Sequence, residues 1–204
     1  NSATDNPLVF VDGEDVDVIS GGNFHGQALA FAMDFLAIAV SEFGSISERR
    51  IEKLINPQMS GLPAFIMKDV GLNSGYMIPH VTAAALASEN KVLCHPASID
   101  TIPTSCDKED HVSMGPIACH KARKVNENVS HILAIELLAA CQGVELLKPL
   151  KANKYLDKII GLIREKSPYM DRDRSLSCDI VEIAKTIKSG DIISTLEKEG
   201  LQLN

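Results

Sequence analysis

The sequence predicts a mainly α-helical fold, a bundle of long helices with one short hairpin. Apolar residues recur with helical spacing over residues 24–43 and again over residues 112–147. The second stretch is far longer than the average globular helix of about 11–12 residues, and such helices are typical of bundles, often oligomeric ones. The strand signal lies in residues 8–19, where two apolar runs flank Asp12-Gly13 and predict a hairpin or an extended loop.

The first long helix is apolar around nearly its whole circumference. Its apolar members are Phe24, Leu29, Phe31, Phe35, Leu36, Ile38 and Val40. A helix of this kind is buried in a large core or between subunits. The apolar stretch Ala28–Val40 contains Asp34 and is too short to span a bilayer, which favours a buried helix over a membrane segment.

Local signals predict where the other helices begin and end. Gly44 is predicted to end the first helix, and the capping box Ser45–Glu48 to begin a second one that stops before Pro57. A helix of small residues is predicted over Met77–Leu93. Short amphipathic helices follow the break at Pro149, so we divide the chain into a helical core (residues 1–150) and a C-terminal segment (residues 151–204).

The composition restricts the classes of function. Of the 204 residues, 45% are hydrophobic and 23% are charged, which is typical of a globular protein and not of a disordered chain. The net charge of −7, with basic residues spread along the chain, argues against nucleic acid and anionic membranes as partners. Five cysteines without CxxC spacing argue against disulfides and a structural metal site, and reduced thiols predict a cytoplasmic location.

Two polar loops contain the residues that favour chemistry. In Ser20–Gly26, glycines permit tight turns before a helix N-terminus that suits a substrate carboxylate, although a flexible helix entry is the alternative interpretation. In the second loop, Lys108–His111 places four ionisable side chains together, as a general base or a substrate clamp requires. A solvated loop with an acidic helix cap is the alternative there.

Four stretches of the chain resemble, in the same order, segments of the aromatic amino-acid ammonia-lyase family. They are NSATDNP (Asn1–Pro7), SGGNFHG (Ser20–Gly26), NSGYMIPHVTAAALASENK (Asn73–Lys91) and HPASIDTIPTSCDKEDHVSM (His95–Met114). A fifth stretch, Glu136–Lys151, extends the likeness. Together these matches are spread over more than half of the chain and are far more specific than one short motif.

Within the family, the chain resembles the enzymes that act on histidine. Glu109-Asp110-His111 stands where members acting on phenylalanine or tyrosine usually carry an amide followed by aspartate. A carboxylate can accept a hydrogen bond from an imidazole, whereas a benzene ring offers it nothing. The resemblance therefore implies the elimination of ammonia from L-histidine to give urocanate. It implies Glu109 as a catalytic residue facing the imidazole, and Phe24, with Asn23, as substrate-binding residues.

The resemblance also implies a cofactor and an assembly. The family uses 4-methylideneimidazol-5-one (MIO), an electrophile formed from its own Ala-Ser-Gly tripeptide, and its helices pack into a homotetramer with active sites between subunits. This chain contains no Ala-Ser-Gly. We therefore expect the C-terminal portion of an enzyme, inactive alone, that depends on an N-terminal portion for MIO. Lys108, beside Glu109, is expected to weaken histidine recognition if it pairs with that carboxylate.

Two alternatives to this interpretation stay open. The chain resembles, less closely, fragments of ammonia-lyases or aminomutases that act on tyrosine or phenylalanine. It is also compatible with a non-catalytic helical scaffold, or a partner subunit, derived from the same family.

Overall fold

A computed structural model describes residues 4–201 of the chain. The first three residues of the Asn1–Pro7 motif and the last three of the 151–204 segment lie outside the described residues. The structure is mainly helical, which confirms the predicted fold class. It divides into a first unit, made of the residues up to Ala39 and Val92–Val125, and a second unit, made of Val40–Lys91 and the residues from Asn126 onward. The predicted boundary at residue 150 stays a prediction.

The predicted hairpin is present near the start of the chain. Its strands are β1 (Leu8–Asp12) and β2 (Asp15–Ile19), which pair antiparallel with Leu8 opposite Ile19 and Val11 opposite Val16. The helices are α1 (Gln27–Ile55), α2 (Pro57–Ser60), α3 (Met77–Leu93), α4 (Gly115–Leu146), α5 (Lys154–Lys166), α6 (Ser177–Ser189) and α7 (Asp191–Lys198). Helix α3 has the predicted bounds, and the short helices predicted after Pro149 are present as α5, α6 and α7.

The prediction that a helix ends at Gly44 is wrong, because α1 continues through this residue to Ile55. Gly44 is buried, and a Cβ atom there would lie 3.1 Å from Cγ2 of Val129 and 3.2 Å from Cδ1 of Ile132. The glycine therefore permits close contact with α4 and does not act as a helix terminator.

The prediction that Ser45–Glu48 caps a new helix is also wrong, because these residues lie inside α1. The Ser47 hydroxyl donates to Glu136 of α4 over 2.6 Å. The Glu48 carboxylate accepts from its neighbour Arg49 over 2.5 Å and lies 2.9 Å from Nε2 of His80 on α3. Both side chains thus connect helices of the second unit instead of capping one.

The length argument against a membrane segment does not hold once α1 is seen at its full length. By length and composition alone, Asn23–Ile55 and Gly115–Leu146 are both sufficient to cross a membrane. Core helices of soluble proteins pass the same test, so this finding does not distinguish the two cases.

The second unit contains the larger core. Tyr76, Ile66, Met67, Ile135 and Ile163 are among its fully buried side chains. Burial raises the pKa of the Tyr76 phenol well above its ordinary value, and its hydroxyl donates to the carbonyl of Leu138. Buried Gln142 is bonded twice to Met170, through its amide nitrogen at 2.8 Å and its oxygen at 3.2 Å. These bonds satisfy polar groups that would otherwise destabilise the core.

The first unit has a small core and leaves much apolar surface exposed. Its buried cluster consists of Ala30, Ala97 and Ala118, with Met33 and Met114 packed against it. Large apolar side chains of the turn before α1 and of α1 itself remain exposed: Phe24, Leu29, Phe31, Phe35, Leu36 and Ile38. The predicted burial of this helix is therefore not achieved within the chain.

Candidate active site

The two polar loops singled out in the sequence lie in the same compact unit. Asn23–His25 forms one turn of 3-10 helix immediately before α1. Gly26 closes that turn with a left-handed φ of 72°, and its N–H donates to the carbonyl of Asn23. A glycine suits this conformation because residues with a Cβ adopt it at a cost. The turn fixes the directions of the Phe24 and His25 side chains.

His25 brings the two loops together. Its Nε2 lies 3.2 Å from Oε2 of Glu109, within ion-pair distance. The ring centroid of His25 is 4.3 Å from that of Phe24 and 5.8 Å from that of His111, which stands edge-on to it. The His25 side chain is mostly buried, with 16% exposed, whereas 41% of the Glu109 side chain is open to solvent. The accessible Glu109 carboxylate therefore lies beside the His25 ring, which packs with the rings of Phe24 and His111.

The segment that presents Glu109 is a tight, unusual turn. The backbones of Thr104 and Glu109 exchange hydrogen bonds of 3.0 and 3.3 Å. Between them, Ser105, Cys106 and Asp107 all adopt left-handed φ values of 55°, 54° and 65°. Such non-glycine residues cost about 1–3 kcal/mol each and are concentrated at functional sites. The strain supports a functional interpretation of this loop over the alternative of a plain solvated connection.

Two contacts attach this site to the long helices. The Ser113 hydroxyl, just before α4, donates to the carbonyl of His25. The hydroxyl oxygen of Thr101 accepts a hydrogen bond of 3.0 Å from the N–H of Val112. Both contacts restrict the segment that leads from the Glu109 turn into α4.

Asp34 of α1 holds the loop that precedes the Glu109 turn. Its buried carboxylate accepts a hydrogen bond of 2.7 Å from the N–H of Ser98, while Gln27 donates to the carbonyl of Ser98 over 2.8 Å. Burial acts to raise the pKa of Asp34, but the Ser98 hydrogen bonds and the charge of Lys121 bring it below the ordinary value. Asp34 is therefore a structural anchor that remains ionised at neutral pH.

The structure corrects the expectation for Lys108. Among the described residues, the Glu109 carboxylate lies within ion-pair distance of His25 and not of Lys108. Asp110 does not cap α4 either, because that helix begins at Gly115. The backbone carbonyl of Asn23 accepts a hydrogen bond from Gly26 within the turn. The expectation that Asn23 binds the substrate stays a prediction.

Sequence reasoning included His111 among the four ionisable side chains of the second loop but gave His25 no role in the site. His25 lies inside a quoted motif, but nothing in its spacing indicates that it reaches Glu109. The residues from 4 to 201 contain no group of three His, Cys, Asp or Glu side chains placed to hold a metal ion. A cavity of about 690 Å³, lined in part by Ile78, His131 and Asp173, belongs entirely to the second unit.

Comparison with known proteins assigns the chain to a family. The sequence model of the aromatic amino acid lyase family matches residues 1–165. The chain belongs to the aromatic amino acid lyase family. Its fold agrees, because the crystal structure of a histidine ammonia-lyase from Trypanosoma cruzi superposes with a TM-score of 0.90 at 56% identity, over 97% of this chain and 39% of that one.

Two further relatives define the range of likeness within this lyase family. Histidine ammonia-lyase from Caldanaerobacter subterraneus is 56% identical over 203 residues, which are all of this chain and 40% of that protein. The crystal structure of a tyrosine aminomutase from Streptomyces globisporus has a TM-score of 0.91 at 37% identity, over all of this chain and 39% of that one. The chain thus spans about 40% of the length of these relatives.

Proposed function

We propose that the chain is the C-terminal portion of a histidine ammonia-lyase, which converts L-histidine to urocanate and ammonia. The observation that carries this proposal is the accessible Glu109 carboxylate, which follows a strained turn and lies 3.2 Å from His25, whose ring packs against Phe24. The 56% identity to a histidine ammonia-lyase, against 37% to a tyrosine aminomutase, supports the same choice of substrate.

The residues of this chain would act by binding and orienting the substrate. The Glu109 carboxylate would accept a hydrogen bond from an imidazole N–H, a charge-assisted contact about twice as strong as a neutral one. It would also hold a proton at that oxygen if the imidazole transfers one. The Phe24 ring would pack against the substrate ring, and Asn23 would bind a polar group of the substrate beside it.

MIO fits this site only if another segment supplies it, because the 204 residues contain no Ala-Ser-Gly. When present, the group supplies an electrophile that makes the substrate amine a better leaving group. Phe24 exposes 41% of its surface on the turn and would pack against such a group. We therefore propose that the 204-residue chain alone does not release ammonia from histidine.

The exposed apolar surface of α1 supports assembly with other chains. Phe35 is 76% exposed, and Phe43 and Ile46 farther along the helix are also largely exposed. Large apolar side chains that are exposed together in a soluble protein commonly mark an interaction site. We propose that these side chains pack against the N-terminal portion and against further copies in a homo-oligomer, expected to be a tetramer. A species that is only monomeric in light scattering at every concentration tested would contradict this.

The proposed cellular environment follows from charge and cysteine usage. With a net charge of −7, five cysteines and a lyase family membership, we propose a cytoplasmic enzyme that binds neither nucleic acid nor membranes. Fractionation of cells that express the chain would check this, and recovery in the membrane fraction would contradict it.

A second candidate function is that of an aminomutase or ammonia-lyase for tyrosine or phenylalanine. The TM-score of 0.91 to a tyrosine aminomutase keeps this candidate open, because a shared fold does not determine which substrate is used. A third candidate is a non-catalytic scaffold or partner subunit, which would use the exposed α1 surface without the Glu109 site.

The experiment that separates these candidates is a chimera. The chain would replace the matching 203 residues of the Caldanaerobacter enzyme, which would supply the remaining segments. Histidine, tyrosine and phenylalanine would be offered separately, and urocanate followed by its ultraviolet absorbance. We expect turnover of histidine by the chimera and none by the chain alone. Turnover of tyrosine or phenylalanine without histidine would favour the second candidate, and a well-folded, inactive chimera the third.

A further inference from the structure

His25 contacts both of the side chains on which the proposed site depends. It lies 3.2 Å from the Glu109 carboxylate and 4.3 Å, ring to ring, from Phe24. We infer that His25 is a positioning residue, which holds the Glu109 carboxylate at the place where it meets the substrate. This inference rests on the proposed function, because Glu109 is the substrate-facing group there.

His25 is held both through its backbone and through its ring. The backbone N–H of His25 donates to the carbonyl of Gly22 over 3.1 Å, and the backbone carbonyl of His25 accepts from the Ser113 hydroxyl. The ring contacts Phe24 and meets His111 edge-on. The ring contacts from both polar loops thus restrict the imidazole, and the backbone contacts hold the residue that carries it.

Glu109, by contrast, needs an anchor. Its side chain is 41% exposed, and a free glutamate loses up to about 2 kcal/mol of side-chain entropy when one orientation is imposed. The left-handed turn that precedes it fixes the backbone but not the carboxylate. Pairing with the His25 ring, of which only 16% is exposed, would hold the Glu109 carboxylate in one orientation before the substrate binds.

The pairing with His25 also leaves the second oxygen of the Glu109 carboxylate for another partner. Nε2 of His25 approaches Oε2 of Glu109, so the other oxygen, Oε1, can accept from the substrate imidazole. A carboxylate without this contact could turn both oxygens away from the substrate. His25 would thus act on the reaction only through Glu109.

A double-mutant cycle in the chimera tests this dependence. We expect His25→Ala to lower kcat/KM by about 10- to 100-fold, the size of effect expected from a small misplacement of a reacting group. His25→Gln should recover most of the loss, because its amide can donate to the same oxygen. In the Glu109→Gln background, His25→Ala should change kcat/KM by less than about threefold, because coupled residues are not additive.

His120 offers a matched control. It lies exposed on α4 in the same unit, so His120→Ala should leave kcat/KM unchanged. A loss caused by His25→Ala that is equal in the wild-type and Glu109→Gln backgrounds would overturn the inference, since it would indicate a structural role. The absence of any loss in either background would overturn it as well.

The failure of the proposed function would be distinguishable from the failure of this inference. If the chimera turns over tyrosine and not histidine, the proposed substrate is wrong, and the position of the Glu109 carboxylate in crystal structures of the His25→Ala and His25→Gln variants decides the role of His25. If no substrate is turned over, crystal structures of the chain decide it. We then expect the Glu109 carboxylate to be displaced in His25→Ala and retained in His25→Gln. An unmoved carboxylate in His25→Ala would overturn the inference.

Discussion

Gly44 of α1 packs directly against Val129 of α4, where a Cβ atom on the glycine would lie 3.1 Å from the valine Cγ2. Ile132 closes the same gap from one turn farther along α4, at 3.2 Å. Space for a larger side chain at residue 44 would therefore require the two helices to move apart.

This contact predicts that Gly44→Leu destabilises the protein. Extra methylenes in a packed core typically cost about 1–3 kcal/mol, which outweighs the helix propensity gained over glycine, about 1 kcal/mol. Gly161 of α5 is the matched control, because it is exposed and has nothing within 4 Å of its Cβ position. Gly161→Leu should raise the free energy of unfolding slightly in urea titrations. Equal effects at both positions would show that Gly44 is not a packing glycine.

The Asp34–Ser98 contact predicts a second destabilisation. Asp34→Ala removes the acceptor of the buried Ser98 N–H, and an unsatisfied buried donor costs about 1–3 kcal/mol. Asp34→Asn should cost less, because its amide oxygen can still accept. Urea denaturation would measure the loss, and hydrogen exchange of the Ser98 amide should accelerate in Asp34→Ala.

Glu42 provides the control for that experiment. It lies on the same helix but is exposed, so Glu42→Ala should change stability by no more than about 0.5 kcal/mol. Unchanged protection of the Ser98 amide in Asp34→Ala would mean that Asp34 does not anchor the loop.

The sequence predicted those elements whose signals are local. Helix α3, which the run of small residues predicted, has the predicted bounds, and the hairpin forms around Asp12-Gly13 as expected. Where a local signal competes with a long-range contact, the contact decides. Gly44 and the Ser45–Glu48 capping box predicted a helix boundary. Gly44 instead packs closely against α4, and side chains of Ser45–Glu48 contact α3 and α4.

The candidate site was predictable only in part for the same reason. Phe24 and Glu109 followed from motif resemblance, which does not contain distances. The role of His25 depends on two loops far apart in sequence folding against each other, and no spacing rule indicates such a pair. Similarly, the apolar pattern of α1 predicted a helix but did not indicate that many of its apolar side chains stay exposed in this chain.

The lowered pKa of Asp179 leads to a prediction of how the stability of the second unit depends on pH. Burial acts to raise its pKa, but hydrogen bonds from Arg174 and Ser167, of 2.6 and 2.5 Å, bring it below the ordinary value of 3.8. A carboxyl whose pKa is lowered by folding stabilises the protein above its unfolded pKa, and that contribution is lost as the pH falls through the folded pKa.

Asp179→Asn should therefore cost about 1–3 kcal/mol at pH 7, the usual range for hydrogen bonds to charged groups. The difference from the wild type should narrow below about pH 4, where the wild-type carboxylate also becomes protonated. Urea titrations at both pH values measure this, with the exposed Glu165→Gln on α5 as the control. A difference that is the same at pH 7 and at pH 3 would show that the Asp179 charge does not stabilise the fold.

The role proposed for Glu109 leads to a prediction of the substrate preference of the chimera. Glu109→Gln removes the negative charge but keeps the length of the side chain, so the contact with an imidazole N–H is weakened and the fold is not. We expect kcat/KM for histidine to fall by about 10- to 100-fold, corresponding to the loss of a charge-assisted hydrogen bond. Any turnover of tyrosine or phenylalanine should fall much less, because those rings make no use of the carboxylate. Glu14, exposed in the hairpin turn of the same unit, is the control, and Glu14→Gln should leave kcat/KM unchanged. If Glu109→Gln lowers turnover of all three amino acids equally, the carboxylate serves the chemistry common to them and does not recognise the imidazole.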